Sequence, residues 1–367
     1  MLVTLSEALR DMDCQCTVAV FDHGHSGQRE VADQARRRGL PVVLVPCHGR
    51  WDVRCLRKLR GLLAELQADI LHTHGYKADV YGWAAARNRR VGLLATCHNW
   101  PDPKTSMRLY AALDRLVVRG FDRVTTASEA VANILRNSGL REDRLTRIRN
   151  LVDIQRFRGA APTLRDKTVA PGRRMVGFVG RMVPEKGGAV LLHSAQRTLL
   201  EFPDAAFVFV GDGPARADWQ SLAKRLGISE RVSFVGVRGD MPGVYASLDL
   251  VVLPSLVENM PMSVLEAMAA ERPVVATRVG AMPDVMTHEQ NGLLVAPGDV
   301  SGLAEAILRL LRDPEWATQL GRRGGARVAE YYSSKTVAEE YLELYRRVLA
   351  DRDLRGAGRR ALWPVHQ

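Results

Sequence analysis

Two glutamates, Glu258 and Glu266, sit eight positions apart in the stretch PSLVENMPMSVLEAMAAERPVV over 254–275. Glu258 falls in the loop after an apolar strand, Pro261 suits the first turn of the helix that follows, and Glu266 falls about one turn inside it. A carboxylate is a pure acceptor that takes hydrogen bonds from two vicinal hydroxyls at once, so the pair suits a molecule with two separate diols. Backbone amides over 259–263, including those of Asn259 and Met260, add donors at a positive helix end. On a plain surface the same glutamates would be solvated charges. Leu265, Met268 and Ala269 make that reading uncomfortable for Glu266.

Three further strand ends carry chemistry. GRMVPEKGG over 180–188 runs a buried strand into Gly180, then Arg181, with a helix opening after Lys186. Arginine offers a planar fork and lysine a point charge, so the two flank a turn as a cradle for a diphosphate. Taken alone, such cations read equally well as solvated. GDGP over 211–214 supplies Gly211 and Gly213 for a backbone turn beneath a ligand. The third glycine of a dinucleotide fingerprint is missing, since Arg216 stands there, and Pro214 removes an amide, so nicotinamide binding is disfavoured. VSFVGVRGDMP over 232–242 is a strand and glycine turn that could hold a base edge. Its Arg238 only donates, which suits the carbonyls of uracil better than the N–H edge of guanine.

In the first half, His72 and His74 share one face of a strand end by alternation, and His98 closes the next strand. No H-x-x-x-H or H-E-x-x-H spacing supports a metal there. The D-x-D triplets at 11–13 and 351–353 do not follow strands as a metal–nucleotide clamp would, so metal-free chemistry is expected. Five cysteines, at 14, 16, 47, 55 and 97, show neither a paired framework nor C-x-x-C spacing and read as reduced thiols in a cytoplasmic protein.

The elements that must position these groups alternate strand and helix along all 367 residues. Hydrophobic residues at 46% and charged ones at 25% exclude disordered, collagen-like and disulfide-scaffold classes. No apolar run approaches membrane-spanning length. Strands are predicted at 16–21, 42–46, 70–74, 93–98, 123–127 and 146–149, then at 176–180, 206–210, 232–235, 250–253, 274–277 and 293–295. Helices fit between them, for example at 51–66, 314–331 and 336–349. The predicted class is α/β, with two Rossmann-like doubly wound domains facing a cleft. Residues 1–160 form one domain, 161–174 a breaker-rich linker, 175–332 a second domain, and 333–367 a final helix and tail. Residues 1–160 hold 26 Lys and Arg against 17 Asp and Glu, so the first half carries +9 of the +11 net charge. Such a face attracts an anionic membrane surface or a phosphorylated substrate, or serves solubility alone.

Taken together, these motifs resemble the retaining glycosyltransferases of family 4, with the GT-B fold. The spacing from Glu258 to Glu266 is the E-x7-E motif of that family, in P-S-x-x-E-x-x-P and L-E-A-M-A surroundings, and GRMVPEKG, GDGP and RNLVD at 149–153 fall in the family order. The resemblance implies that Arg181 and Lys186 hold the donor diphosphate, that Glu266 binds the ribose hydroxyls and that Glu258 binds those of the donor sugar. It gives His98 to the donor sugar and His74 to the acceptor side. Retention is then front-face, without a protein nucleophile. The implied enzyme moves a hexose from a nucleotide sugar, UDP favoured over GDP, to a glycan or lipid-linked acceptor in cell-surface polysaccharide or glycolipid synthesis. It needs no cofactor, no metal and no nucleic acid, and works in the cytoplasm or peripherally on the inner membrane face. Three departures stand out. Leu151 replaces the glycine of Asn-Gly-Val-Asp, Asn259-Met260 replaces Gly-Phe, and residues 1–9 read as the first helix of the family, so the first strand is expected to be missing. An alternative is therefore an N-terminally truncated, impaired sugar-nucleotide-binding protein.

Overall fold

The computed structural model describes residues 1–22, 29–48, 52–87, 90–98, 116–164 and 172–355. The chain divides into two units, Met1–Arg149 with Val337–Gln367, and Asn150–Thr336.

In the first unit the order is α1 (Leu2–Arg10), β1 (Val18–Asp22), α2 (Glu30–Arg37), β2 (Val42–Pro46), α3 (Val53–Glu65), β3 (Ile70–His74), α4 (Tyr76–Ala86), β4 (Gly92–Thr96), β5 (Arg123–Thr126), α5 (Glu129–Asn137) and β6 (Leu145–Arg147). Its described strands are all parallel but form two sheets, β1-β2 and β3-β4-β5-β6. A shared core joins them, in which Val45 and Cys55 pack with Tyr81, Leu93 and Ala95. β4 is buried along its whole length, while β3, which pairs with β4 alone, is mostly half-buried. A parallel strand reads as continuously apolar when helices and neighbouring strands cover it. Asp52 opens α3 by accepting from the amides of Arg54 at 2.8 Å and of Cys55, which satisfies two donors that the helix leaves free.

The second unit follows with α6 (Ile154–Phe157), β7 (Arg174–Val179), α7 (Gly188–Glu201), β8 (Ala205–Val210), α8 (Arg216–Arg225), β9 (Val232–Gly236), α9 (Met241–Ser247), β10 (Leu250–Leu253), α10 (Met262–Ala269), β11 (Val274–Thr277), α11 (Met282–Val285), β12 (Leu293–Val295), α12 (Val300–Arg312) and α13 (Pro314–Tyr331). Its six strands form one parallel sheet in the order β12-β11-β10-β7-β8-β9. The apolar run Ala-Ala-Phe-Val-Phe-Val makes β8 buried throughout, as a strand covered on both faces must be. Phe178, Phe207, Phe209 and Trp219 anchor the core with Leu191, Ile307 and Leu310. Burying each large apolar side chain contributes about 1.5–3 kcal/mol. The last helix, α14 (Ser334–Arg355), lies mostly in the first unit, where Arg123 bonds Asp351 at 2.6 Å.

The division between units falls at 149/150, upstream of the expected boundary at 160 and linker at 161–174. The cause is burial. Ile154, Phe157 and Leu164 are inside the second unit, and Ser247 Oγ accepts from the amides of Thr163 and Leu164, each at 2.9 Å. The expected final segment from 333 is divided too, since the chain rejoins the first unit only at Val337. Residues 165–171 of that linker and 356–367 of the tail lie outside the described residues.

Candidate functional site

In the second unit, the chain runs from β7 through β8 to β9 on one side of the sheet, then returns to β10 and continues to β12 on the other. The order therefore reverses between β7 and β10, and in open α/β sheets ligands bind outside the carboxyl ends of the strands at such a point. All four motifs follow four adjacent strands, β10, β7, β8 and β9, so the parallel sheet lines them along one edge.

The turns after β7 and β10 are tied together. Leu256 donates its amide to the Glu185 carbonyl at 2.8 Å, and Lys186 Nζ forms an ion pair with Glu258 Oε2. Ser255 Oγ donates to the same oxygen at 3.2 Å. The glutamate side chain is 12% exposed and that of the lysine 23%. Arg181 stands differently, 71% exposed, with Glu185 at 3.7 Å as its ionic neighbour. A charge this open is free to turn onto an anion.

Gly211 and Gly213 are placed as expected, but their smallness serves the protein's own backbone first. A Cβ on Gly211 (φ +124) would lie 2.0 Å from the Gly180 carbonyl oxygen, and one on Gly213 would lie 2.3 Å from that of Met182. Only glycine lets the turn after β8 press against the turn after β7. Gly180 itself accepts no such constraint, since its Cβ would meet Phe178 at 3.6 Å.

Arg238 has a partner on the protein. Its fork grips Asp240, with Nε donating at 2.8 Å and the terminal nitrogen at 2.7 Å, and this bidentate bond holds the Asp240 carboxyl far below the usual range. Two of the guanidinium nitrogens, Nε and Nη2, are thus held by the protein.

Asn259 and Met260 present backbone oxygens to the protein. The amide of Ala281 donates to the Asn259 carbonyl at 2.8 Å, and Asn150 Nδ2 donates to that of Met260 at 3.4 Å. Pro261 is the residue just before α10, in extended conformation, rather than within its first turn. Glu266 is half-buried, and burial raises its carboxyl above the usual range, opposed by a hydrogen bond from Tyr245 and by the charge of Arg156. Tyr245 Oη donates to Glu266 Oε2 at 3.0 Å. Sequence reasoning missed both Tyr245 and Ser255, and no spacing signal marks Tyr245 as a partner of Glu266.

The histidines gather in the first unit. His72 and His74 share a face, with ring centroids 4.3 Å apart, and His74 Nδ1 hydrogen-bonds His98 Nε2 at 3.1 Å with the rings stacked. His72 is committed at both nitrogens, to Tyr345 Oη at 2.8 Å and Thr96 Oγ1 at 2.7 Å, and burial brings it down to about 3. Burial also lowers His74 and His98, so the cluster is neutral near pH 7. Among the described residues no group of three or more His, Cys, Asp or Glu is gathered as a metal site, and no helix is long and apolar enough to cross a membrane.

Comparison with known proteins shows the family and the fold. Residues 173–313 match the family described as Glycosyl transferases group 1, and residues 1–156 match Glycosyltransferase Family 4. The chain is 30% identical over 367 aligned residues to D-inositol 3-phosphate glycosyltransferase of Nocardia farcinica, covering 89% of this chain and 78% of that one. It is 32% identical to the lipopolysaccharide core biosynthesis glycosyltransferase LpsD of Rhizobium meliloti, with 80% of each covered. Anabaena Alr3699/HepE, solved with UDP and glucose, shares the fold at a TM-score of 0.79 and 22% identity, covering 94% of both chains.

Proposed function

Since the chain belongs to the glycosyltransferase family of those two descriptions, Family 4 and group 1, we propose that it moves a hexose from a nucleoside diphosphate sugar to a glycan or lipid-linked acceptor, with retention and without a metal. Its two Rossmann-like α/β units are those of the GT-B fold. The observation that carries the proposal is the row of groups along the carboxyl edge of β10, β7, β8 and β9. Arg181 and Lys186 follow β7 there, and Lys186 is paired with Glu258, which follows β10, where the strand order reverses.

On this reading a diphosphate draws Lys186 away from Glu258, and Arg181 swings its fork onto the same group. Glu258, released from the lysine, accepts from hydroxyls of the hexose while Glu266 accepts from the ribose diol. As the bond from the anomeric carbon to the phosphate oxygen breaks, the acceptor oxygen bonds to that carbon on the same face. The acceptor's proton passes to the departing phosphate. Arg181 and Lys186 stabilise the charge that develops there. His98 is assigned to the donor sugar and His74 to the acceptor side, both as neutral imidazoles that donate and accept.

UDP is the first donor nucleotide to test, being the one bound in the Anabaena structure of the same fold. A role in cell-surface polysaccharide or glycolipid synthesis is supported by the similarity to the lipopolysaccharide core enzyme. The +9 charge over residues 1–160 supports peripheral contact with an anionic membrane. A second reading, sugar-nucleotide binding without turnover, draws on the two-piece sheet of the first unit. Incubating the chain with a panel of UDP- and GDP-sugars and acceptors, and scoring nucleotide release and product, separates the two: release with product supports transfer, and binding with no product supports the second.

A further inference from the structure

Tyr245 is 0% exposed, yet it carries a hydroxyl that a phenylalanine would lack. Its ring stands edge-on to Phe157 of α6, with centroids 5.8 Å apart, and this packing fixes where the hydroxyl points. Among the described residues its hydrogen-bond acceptor is Glu266 Oε2, at 3.0 Å. A buried hydroxyl left without a partner is costly, so the tyrosine can tolerate few other positions of the carboxylate.

We propose that Tyr245 is the positioning residue for Glu266, so that a buried phenol and a half-buried carboxylate together form the diol-binding group. The inference rests on the donor reading above, in which Glu266 meets the ribose. With Oε2 held by Tyr245, the carboxylate rotates little, and its remaining lone pairs are presented in one orientation to two adjacent hydroxyls. The same bond favours the ionised form. Within the second unit the groups that bear on Glu266 are Tyr245 on α9 and Arg156 on α6, both acting against the burial that raises it. Burial and the neighbouring carboxylate raise the phenol well above its ordinary value, so Tyr245 stays a donor throughout the working range of pH. Tyr245 thereby favours the acceptor form of Glu266 against the burial that raises it.

The test is Tyr245→Phe, nearly isosteric and so expected to fold, with its melting temperature measured alongside. Carbon-13 NMR follows the Glu266 carboxyl in the free protein, and calorimetry measures UDP and 2′-deoxy-UDP binding from pH 5 to 8. In the variant, the Glu266 titration and the acid limb of UDP binding both move to higher pH. UDP affinity at pH 7 falls about tenfold, as expected for loss of one hydrogen bond to a charged group. The preference for UDP over its 2′-deoxy analogue narrows. An unchanged Glu266 titration with unchanged UDP affinity and preference overturns the inference while leaving the donor reading standing. A wild-type protein that binds neither nucleotide overturns the donor reading and the ribose role together.

Discussion

Lys186 and Glu258 form an ion pair across 72 positions of sequence because one follows β7, the other follows β10, and those strands are neighbours where the strand order reverses. On the proposed reading, this ammonium and this carboxylate each have a separate duty toward the donor and occupy each other until it binds. Breaking this pair has two separable effects. Lys186→Ala leaves a 12% exposed carboxylate with Ser255 as its neighbour. Because the lysine is partly solvated, the loss in stability is about 1–2 kcal/mol, below that of a fully buried pair. UDP affinity falls about ten- to a hundredfold. Combining Lys186→Met with Glu258→Gln restores the denaturation midpoint but not UDP binding, as a double-mutant cycle by calorimetry and denaturant titration checks.

Arg181 gives the contrasting case. With 71% of its side chain open and Glu185 at 3.7 Å, it adds little to folding. Arg181→Ala leaves the melting temperature unchanged and weakens UDP binding about tenfold. A fall in melting temperature with normal binding would reverse its assignment from ligand to scaffold.

The glycines after β8 are predicted to act through folding. Gly211→Ala places a methyl 2.0 Å from the Gly180 carbonyl oxygen at a φ of +124, and costs about 2–3 kcal/mol by chemical denaturation. Gly239→Ala, where a Cβ meets nothing within 4 Å, is the control and stays within about 0.5 kcal/mol of wild type.

His72 makes the first unit sensitive to acid. Burial brings it to about 3 in the folded chain, below its ordinary value of about 6.5. The unfolded chain therefore binds the proton first. Stability from this group is complete above about pH 6.5 and is lost as pH falls toward 3, with a slope of up to about 1.4 kcal/mol per pH unit. Proton NMR should show an imidazole that stays neutral at pH 5, and His72→Gln should flatten the dependence of the unfolding midpoint between pH 7 and 5.

Much of this was legible in the residues, and the reasons for success and failure differ. The bounds of β2, β3, β10, β11 and β12 match the predicted ones because β2, β10, β11 and β12 are short, mainly apolar runs and β3 is bounded by Asp69 and Gly75. The site edge was legible because its groups follow strands, and a parallel sheet brings successive strand ends to one side. What was not legible depended on partners. Arg238 looked available until Asp240, two residues on, was seen to bind it at both nitrogens. His72 is tied to Tyr345, 273 positions away, and Tyr245 reaches Glu266 only through the packing of α9, so neither pair leaves a periodic trace. The charged, proline-rich appearance of 158–174 also hid Leu164, which is 1% exposed.

On the proposed reading, Arg181 and Lys186 in the turn after β7 grip a diphosphate, while Glu258 after β10 and Glu266 in α10 sort the hydroxyls on either side of it. Calorimetric titration with uridine, UMP and UDP tests it most directly, in the wild type and in the Arg181→Ala, Lys186→Ala double variant. The account predicts affinity rising steeply from uridine to UDP in the wild type and a nearly flat series in the variant. Uridine binding as tightly as UDP to the wild type, or an equally steep series in the variant, would contradict it.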